Sequence, residues 1–333
     1  MPRTGTIPAA AFAACVVFWW SIAAPTAAHA DDLLKARVAQ NLGPISGLVI
    51  VAKARGLFER QGLDISVSNF TSGKQCLDTV IGGGADFATT AEAPVTAAAM
   101  ANQPIAFVAG MEYSDLKTMT AAKAGITSKA DLRGKKIGFT AGTGSEVYTA
   151  TLLKSAGLTP GDVTLVNLRP QEMLPAMAAG SIDAFDTWEP HIANAKKALG
   201  ENAILLDTRG LYSETFNIVV TRPYLDANGP IVQKFLRALL DAEVWLKANP
   251  DQAIATIADT VGMKRDELAA IWNDYVYRVR IDDQLLGILK LHAAWRLDSG
   301  NHPPGATMPD FTKVLALDPL RSIDPGRVTV SAN

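Results

Sequence analysis

One helix-to-strand junction decides the fold class of this chain: residues 56–70 read GLFERQGLDISVSNF. Gly56 ends a helix, and Gly62 lets the chain turn into a strand from Asp64 to Phe70. On both sides of this junction, short apolar runs alternate with amphipathic helices as far as Ala109. This β-α-β-α-β order predicts a parallel sheet with helices on both faces.

The same order of elements begins a second time further along the chain. Strand and helix patterns alternate again from Lys136 to Leu206, which predicts two similar α/β units in tandem. One more apolar strand is predicted from Phe216 to Thr221. After it we expect helices to about Ser299, among them one from Arg265 to Tyr277, and then an extended tail.

The first thirty residues have the pattern of a secretory signal peptide. Arg3 supplies a positive charge, an apolar run from Ile7 to Ile22 follows, and Ala28-His29-Ala30 is an A-x-A cleavage site. The apolar run is shorter than the roughly 20 residues that span a bilayer, which disfavours a membrane anchor. We therefore expect cleavage after Ala30 and export to the periplasm.

Charge and cysteine content exclude several classes of function. The chain carries 31 Lys and Arg against 33 Asp and Glu, with no basic stripe, so we expect no nucleic-acid partner. Cys15 lies in the predicted signal peptide, which leaves Cys76 without a second cysteine for a disulfide or a zinc cluster. We expect neither a metal site nor a cofactor, and Cys76 is predicted to be a buried apolar residue.

Five short segments resemble the periplasmic binding proteins of the nitrate, taurine and aliphatic-sulfonate class (SsuA/THI5-like) of ABC importers. They are GLFERQGLD at 56–64, GGADF at 83–87, DLRGKKIG at 131–138, AGSIDA at 179–184 and WEP at 188–190. Each segment is short, but the five follow the family's order over most of the chain. The resemblance implies the α/β type II periplasmic-binding-protein fold, in which two α/β lobes enclose a ligand cleft.

The resemblance also implies a domain layout and a function. The layout would be a signal peptide at 1–30, lobe I from 31–118 plus 216–333, and lobe II from 119–215. The protein would capture a small polar solute by closing its lobes, and would deliver it to an ABC permease in the inner membrane. The solute would be anionic or zwitterionic, like taurine, a sulfonate or nitrate. We expect a monomer without catalytic residues.

Two alternatives on the same fold stay open. A periplasmic sensor would have an identical fold and would differ only in its partner. An enzyme similar to the pyrimidine synthases is disfavoured, because those enzymes carry a cysteine-rich motif and this chain has no cysteine cluster. No G-x-S-x-G nucleophile motif occurs in the chain either.

The strongest candidate for ligand binding is the turn TAGTGS at residues 140–145, between a predicted strand and a predicted helix. Its glycines expose backbone N–H groups, Ser145 is suited to cap the helix, and a helix N-terminus attracts an anion. An ordinary capped turn is the alternative. The candidates from this turn are Gly142, Thr143, Gly144 and Ser145.

The other candidates lie near the ends of predicted strands, because open α/β sheets bind ligands at the carboxyl ends of their strands. They are Gln40, Pro44, Ser72, Gly73, Thr89, Thr90, Glu92, Trp188, Glu189 and Glu214. A carboxylate in the cleft favours an amine, which makes Glu92 and Glu189 of special interest. We hypothesise a zwitterionic solute whose anion lies at residues 143–145 and whose amine faces Glu92 or Glu189. Structural roles are the alternative for each of these residues, and for Ser72 that role is a helix cap.

Overall fold

The computed structural model describes residues 1–2, 5 and 33–330 of the chain. The apolar core and the cleavage site of the predicted signal peptide lie outside the described residues. Within the described part of the chain, none of the helices is both long enough and apolar enough to cross a membrane.

Strands and helices alternate through most of the described chain. The strands are β1 (Leu34–Asn41), β2 (Leu63–Phe70), β3 (Phe87–Ala91), β4 (Ile105–Asp115), β5 (Lys117–Ala121), β6 (Lys136–Phe139), β7 (Thr164–Asn167), β8 (Ala184–Thr187), β9 (Ala203–Leu205), β10 (Ser213–Thr221), β11 (Val276–Asp282) and β12 (Val328–Thr329). The helices are α1 (Gly47–Ala54), α2 (Leu57–Arg60), α3 (Gly73–Ile81), α4 (Glu92–Met100), α5 (Gly144–Ser155), α6 (Pro170–Ala178), α7 (His191–Leu199), α8 (Arg222–Ala248), α9 (Pro250–Val261), α10 (Arg265–Ala270), α11 (Asp283–Ser299), α12 (Phe311–Val314) and α13 (Asp318–Arg321).

Seven strands form the larger sheet, in the order β12-β11-β4-β10-β3-β1-β2. β1 runs parallel to both β2 and β3, as the sequence predicts. β10 instead runs antiparallel to both β3 and β4, so the sheet is mixed rather than parallel throughout. The reason is that β10 enters directly from the second sheet, without the helical crossover that joins consecutive parallel strands.

Five strands form the smaller sheet, in the order β7-β6-β8-β5-β9, with β5 antiparallel to both of its neighbours. All strands of the larger sheet come from residues 34–115 and 213–329, and all strands of the smaller sheet come from residues 117–205. The chain therefore passes between the sheets twice, just before β5 and just before β10. We call the part built on the larger sheet lobe I and the part built on the smaller sheet lobe II.

Aromatic stacking joins the helix-to-strand junction at residues 56–70 to the core of lobe I. Phe235 of α8 stacks on Phe87 of β3 with 4.1 Å between ring centroids, and on Phe58 of α2 with 4.9 Å. All three rings are fully buried, which contributes roughly 1.5–3 kcal/mol for each. Gly62 has φ +74°, the left-handed conformation that the turn from α2 into β2 requires.

Three strands were not predicted from the sequence: β5, β11 and the two-residue β12. Within β11, Tyr277, Val279 and Ile281 are buried and their neighbours are more exposed, which is the two-residue period of a strand. The helix predicted from Arg265 to Tyr277 is therefore wrong beyond Ala270, where α10 ends. The tail that was predicted to be extended contains α12, α13 and β12.

Candidate functional site

Lobe II reaches lobe I at the first residue of α5. Gly144 has no side chain, and a Cβ built there would lie 3.1 Å from the Tyr212 hydroxyl, 3.2 Å from Glu214 Oε1 and 3.3 Å from Glu92 Oε1. Glu92 begins α4 and Glu214 lies in β10, so both carboxylates belong to lobe I. The lobes therefore meet at the ends of strands, and a larger residue at position 144 would crowd this contact.

The Glu92 carboxylate is buried and accepts hydrogen bonds from the protein itself. The Thr215 backbone N–H donates to Oε2 at 2.8 Å, and the Thr215 hydroxyl donates to the same oxygen at 3.1 Å. The Tyr212 hydroxyl donates to Oε1, and His292 Nε2 lies 3.3 Å from that oxygen. Burial opposes ionisation, but His292 and the hydroxyl and backbone donors outweigh it and hold the pKa of Glu92 below its ordinary value. Both oxygens that were expected to bind an amine are thus engaged.

Two further carboxylates beside Glu92 have few or no donors. Glu112 is fully buried; the Ser114 hydroxyl lies 3.4 Å from its Oε2, and its Oε1 has no partner among residues 33–330. The carboxylate of Glu214 makes no hydrogen bond within the same residues. Burial, reinforced by the neighbouring negative charges, raises the pKa of both carboxyls well above the ordinary value. Their neutral forms are favoured, and a neutral carboxyl can donate a hydrogen bond.

The turn before α5 satisfies much of its own hydrogen bonding. Thr143 caps the helix, because its hydroxyl accepts from the Ser145 N–H at 3.2 Å, whereas Ser145 was expected to be the cap. The helix begins one residue earlier than predicted, which moves the cap to Thr143. The Gly142 N–H donates to Glu146 Oε2 at 2.8 Å, and the Ser145 hydroxyl donates to the carbonyl of Asp186 at 2.8 Å. Several N–H groups that were expected to face an anion therefore already have acceptors.

The candidates that follow β2 and those that lie within β3 connect elements of lobe I. Ser72 caps α3 by accepting from the Gln75 N–H at 3.3 Å, which confirms the cap predicted there. A Cβ at Gly73 would lie 2.8 Å from the Thr90 Cα, so glycine permits this close packing of α3 on β3. The Thr89 hydroxyl accepts from the Asn41 N–H at 2.8 Å, whereas the buried Thr90 hydroxyl has no partner within residues 33–330.

The remaining candidates lie at separate places around the lobe contact. Gln40 donates to Asn69 Oδ1 at 3.0 Å, and the carbonyl of Pro44 accepts from the Tyr277 hydroxyl at 2.6 Å. Trp188 is half-buried, with its ring edge-on to His191 at 6.3 Å. Glu189 pairs with Lys117 at 2.9 Å and accepts from the Ala193 N–H at 2.9 Å, so both of its oxygens are engaged. Ligand contact stays a prediction for each of these residues.

A cavity of about 560 Å³ lies beside this contact and is lined by both lobes. Apolar side chains of α3 and α4 form one wall, among them Leu77 and Ala97. Gly142 and Glu146 line it from lobe II, and Arg296 lines it from the end of α11. Gly142 is the one predicted site residue among the residues that line this cavity.

Arg296 and His292 were both missed as site candidates. They lie four residues apart on α11 and are buried together with Leu285 and Leu289. Positions 285, 289, 292 and 296 repeat at helical spacing, so a histidine and an arginine occupy the apolar face of this helix. A polar residue in an apolar stripe is the sequence signal that could have identified them.

The sequence profile of a known family covers most of both lobes. The profile described as NMT1/THI5-like matches residues 44–253. The chain belongs to the NMT1/THI5-like family. Cys76 is buried and unpaired in this member, which confirms the prediction of a buried apolar residue.

Individual relatives in this family are binding proteins. An Escherichia coli (strain K12) protein provisionally named as aliphatic sulfonates-binding is 27% identical over 227 residues, which cover 67% of this chain and 70% of that protein. The taurine-binding periplasmic protein of the same strain is 25% identical over 207 residues, which cover 60% of this chain and 63% of that protein.

Solved structures share the fold at lower identity. The periplasmic aliphatic sulphonate binding protein SsuA of Escherichia coli has a TM-score of 0.73 and 23% identity, covering 84% of this chain and 91% of SsuA. The periplasmic nitrate-binding protein NrtA of Synechocystis PCC 6803 has a TM-score of 0.68 and 15% identity, covering 89% of each chain. The fold is that of the periplasmic binding proteins, with two α/β lobes, as the sequence resemblance implied.

Proposed function

We propose that this protein is the solute-binding component of an ABC importer, which captures a small polar solute between its lobes and delivers it to a permease. The observation that carries the proposal is the meeting of the two lobes at Gly144, where α5 of lobe II lies against Glu92 and Glu214 of lobe I. This contact lies at strand ends, where open α/β sheets bind their ligands. Membership of a family with several named binding proteins supports it.

The proposed mechanism is hinge closure of the two lobes around the solute. A solute favours the closed form only through contacts that it makes there and not in the open form. Contacts with α5 on one side and with α4 and β10 on the other would supply that difference. The permease then recognises the closed form. The domain limits predicted at 118/119 and 215/216 fall inside β5 and β10, so the proposed hinge positions are the two crossings between the sheets, at residues 115–117 and 205–213.

The proposed solute is anionic or zwitterionic, as for the taurine-binding and sulfonate-binding relatives. A negative charge beside Gly144 would meet Glu214, whose pKa is raised by burial and by Glu92. In its neutral form the Glu214 carboxyl can donate to an oxyanion instead of repelling it. An amine at Glu92 would have to displace the donors from Tyr212 and Thr215. An anionic solute therefore has more support than a zwitterion whose amine faces Glu92.

The proposal includes export to the periplasm and the absence of catalysis. Export is supported by the signal-peptide pattern of residues 1–30 and by the periplasmic relatives. Burial raises the pKa of the Cys76 thiol to about 12, so this cysteine is not an activated nucleophile. A sensor of the same fold differs only in its partner, and uptake measurements separate the two functions.

The first experiment is a thermal-shift screen of the exported protein against taurine, alkyl sulfonates, nitrate, amino acids and pyrimidines. A ligand at about 100 times its dissociation constant adds roughly 2.7 kcal/mol of stability. Uptake of the best ligand is then measured in proteoliposomes that contain the cognate permease. Uptake that depends on the protein supports transport, whereas binding without uptake favours a sensor.

Gly144→Ala tests whether closure at the lobe contact matters. The added Cβ would crowd Tyr212, Glu92 and Glu214, so we expect the solute to bind roughly tenfold or more weakly because the closed form is destabilised. Gly287→Ala is the matched control, since a Cβ at Gly287 of α11 would meet nothing within 4 Å. Equal affinity of both variants and the original protein would contradict closure at Gly144.

A further inference from the structure

A second contact between the lobes involves α7 of lobe II. Ala193 and Lys197 are one helical turn apart, so they lie on the same side of α7. Ala193 packs against the core of lobe I although α7 belongs to lobe II. Lys197 Nζ pairs with Glu267 Oε1 at 2.7 Å, and Glu267 lies in α10 of lobe I. This side of α7 therefore faces lobe I.

Lys117 bridges the two lobes beside the first crossing of the chain. It is the first residue of β5, and its Nζ lies 2.9 Å from Glu189 Oε1 and 3.0 Å from Asp274 Oδ1. Glu189 belongs to lobe II, whereas Asp274 lies just before β11 in lobe I. Burial opposes the charge of Lys117, but the two carboxylates outweigh it and raise the pKa of this ammonium above its ordinary value. One cation is thus shared by an acid of each lobe.

Both ion pairs between the lobes have the same polarity. Lobe II supplies the cations, Lys117 and Lys197, and lobe I supplies the acids, Asp274 and Glu267. The side chain of Lys117 is 18% exposed, whereas that of Lys197 is 66% exposed. An exposed pair contributes little and is screened by salt, so we expect the Lys117 pair to contribute more. Opposite charges on the two facing surfaces favour the arrangement in which the lobes meet.

Apolar packing supports the same arrangement of the lobes. Ile288 and Trp295 of α11, a helix of lobe I, pack against the core of lobe II. These contacts and both ion pairs are made by the protein alone. Contacts that exist in only one of two conformations shift the equilibrium toward that conformation, whether a ligand or the protein provides them. The lobes are therefore attracted to each other before any solute is present.

We propose that the two ion pairs between the lobes, Lys117–Asp274 and Lys197–Glu267, form an ionic latch that holds the lobes together before a solute binds. Opening separates both pairs, while the pair of Lys117 with Glu189 stays intact within lobe II. The apparent affinity for a solute rises with the fraction of protein that is already closed, so the latch tightens binding without touching the solute. The latch rests on movement of the lobes and not on the identity of the solute or on transport.

Small-angle X-ray scattering of the exported protein without added solute tests the latch. We expect the original protein at low ionic strength to match the scattering profile calculated from this structure. Asp274→Asn removes the lobe I partner of Lys117, and Lys197→Glu places an acid opposite Glu267. Together they should lower the ratio of closed to open protein roughly tenfold, and the radius of gyration should rise. A double variant with the same profile as the original, or an original that is already open, would overturn the proposal.

Glu59→Gln is the matched control for the loss of an acidic charge at Asp274. Glu59 pairs with Lys53 at 2.9 Å and its side chain is 38% exposed, close to the 36% of Asp274, but this pair lies wholly within lobe I. The variant loses the same charge and an ion pair of the same kind, and we expect it to keep the profile of the original protein. An equal rise in the radius of gyration would contradict the latch.

Reversing the exposed pair separates a latch from a loss of folding. Lys197→Glu alone sets two acids against each other, whereas Lys197→Glu together with Glu267→Lys restores an ion pair of reversed polarity. We expect the reversed pair to recover the profile of the original protein, which a damaged fold would not do. Opening that persists in the reversed pair would contradict the role of this contact. Circular dichroism of each variant verifies that it is folded before the profiles are compared.

The response to salt provides an independent measurement on the same proteins. Raising the ionic strength from about 0.01 M to about 1 M shortens the screening length from about 30 Å to about 3 Å. The original protein should open toward the profile of the Asp274→Asn/Lys197→Glu variant, whose own profile should change less. A response of equal size in both proteins would show that the ion pairs are not what salt weakens. All these measurements are made without solute, so their failure leaves the transport proposal intact.

Discussion

Helices α4 and α11 pack against each other, and the two ends of this pair hold buried charge in opposite ways. At one end Glu92 faces His292 and accepts three hydrogen bonds from Tyr212 and Thr215. At the other end Arg296, one turn further along α11, donates only to a backbone carbonyl. A fully partnered charge supports the fold, whereas a buried charge without a charged partner costs stability.

Acidic side chains and arginine differ in how much free energy the folded state loses when they are buried without a partner. Burial raises the pKa of both Glu112 and Glu214, so each can take up a proton and lose its charge. Arg296 has no such route, because a guanidinium is not deprotonated in proteins. An unpartnered buried acid therefore costs less than an unpartnered arginine.

Removing the fully partnered charge should have the largest effect on stability. Glu92→Ala takes the carboxylate acceptor from the buried Thr215 backbone N–H and leaves the Tyr212 hydroxyl with only His292 Nε2 as a hydrogen-bond partner. We expect the free energy of unfolding to fall by roughly 3–5 kcal/mol, measured by urea denaturation followed by tryptophan fluorescence.

Glu214→Gln is the control for this variant, since Glu214 is also buried but its carboxylate makes no hydrogen bond in the described chain. We expect its free energy of unfolding to stay within about 1 kcal/mol of the original. Equal losses in the two variants would show that the hydrogen bonds of Glu92 are not what stabilises this end of the helix pair.

Asp186 of β8 is a third kind of buried acid. We expect it to make the free energy of unfolding depend on pH, with an effect of intermediate size. It accepts hydrogen bonds from the hydroxyls of Thr118 at 2.7 Å and Thr149 at 2.6 Å and has no cationic partner in the described chain. Burial raises its pKa to about 7, so it stays protonated in the folded state at pH values where the unfolded chain releases the proton. Its contribution to stability is complete below about pH 4 and is lost, at about 1.4 kcal/mol for each pH unit, as the pH rises to about 7.

Asp186→Asn removes this dependence and tests it. We expect the stability of the variant relative to the original protein to rise between pH 5 and pH 7 and then to level off. Urea denaturation of both proteins across this range measures the difference, which cancels the titration of all other groups. A difference that is constant with pH would mean that Asp186 is already ionised in the folded protein.

Removing the unpartnered charge should have the smallest effect on stability. Arg296→Met replaces a buried cation by an apolar side chain of similar length, and we expect the free energy of unfolding to stay equal or to rise by about 1 kcal/mol. The measurement is made without any added anion, because a bound anion would stabilise the original protein. A loss of more than about 2 kcal/mol would show that Arg296 supports the fold, and the contrast with Glu92 would disappear.

Local patterns predicted the elements that hold the lobe contact in place. The turn at Gly62, the cap at Ser72 and the helix after residue 140 each depend on residues within four positions of one another. The missed strands β5, β11 and β12 have other causes, and β12 is only two residues long. β5 is five residues long, and β11 alternates over seven residues inside a region that we interpreted as helical.

The partners of the candidate residues could not be predicted in the same way. Glu92 was identified as a carboxylate at the end of a strand, but the groups that engage it, Tyr212, Thr215 and His292, come from 120 or more residues further along the chain. Glu189 was expected to face an amine and instead pairs with Lys117, 72 residues away. A sequence shows that a charged side chain is present, whereas its ionisation and availability depend on neighbours that only folding brings together.

The sequence by itself determined the α/β class, the tandem units and the family, because these depend on short-range periodicity and on local motifs. Only the tertiary structure decided which charges are satisfied. It surrounded Glu92 with protein donors, placed Arg296 in the wall of the cavity between the lobes, and brought Gly144 against lobe I. The physical reason is that the free energy of a charge depends on burial and on the groups within a few ångströms of it, and residues distant in sequence supply most of those groups.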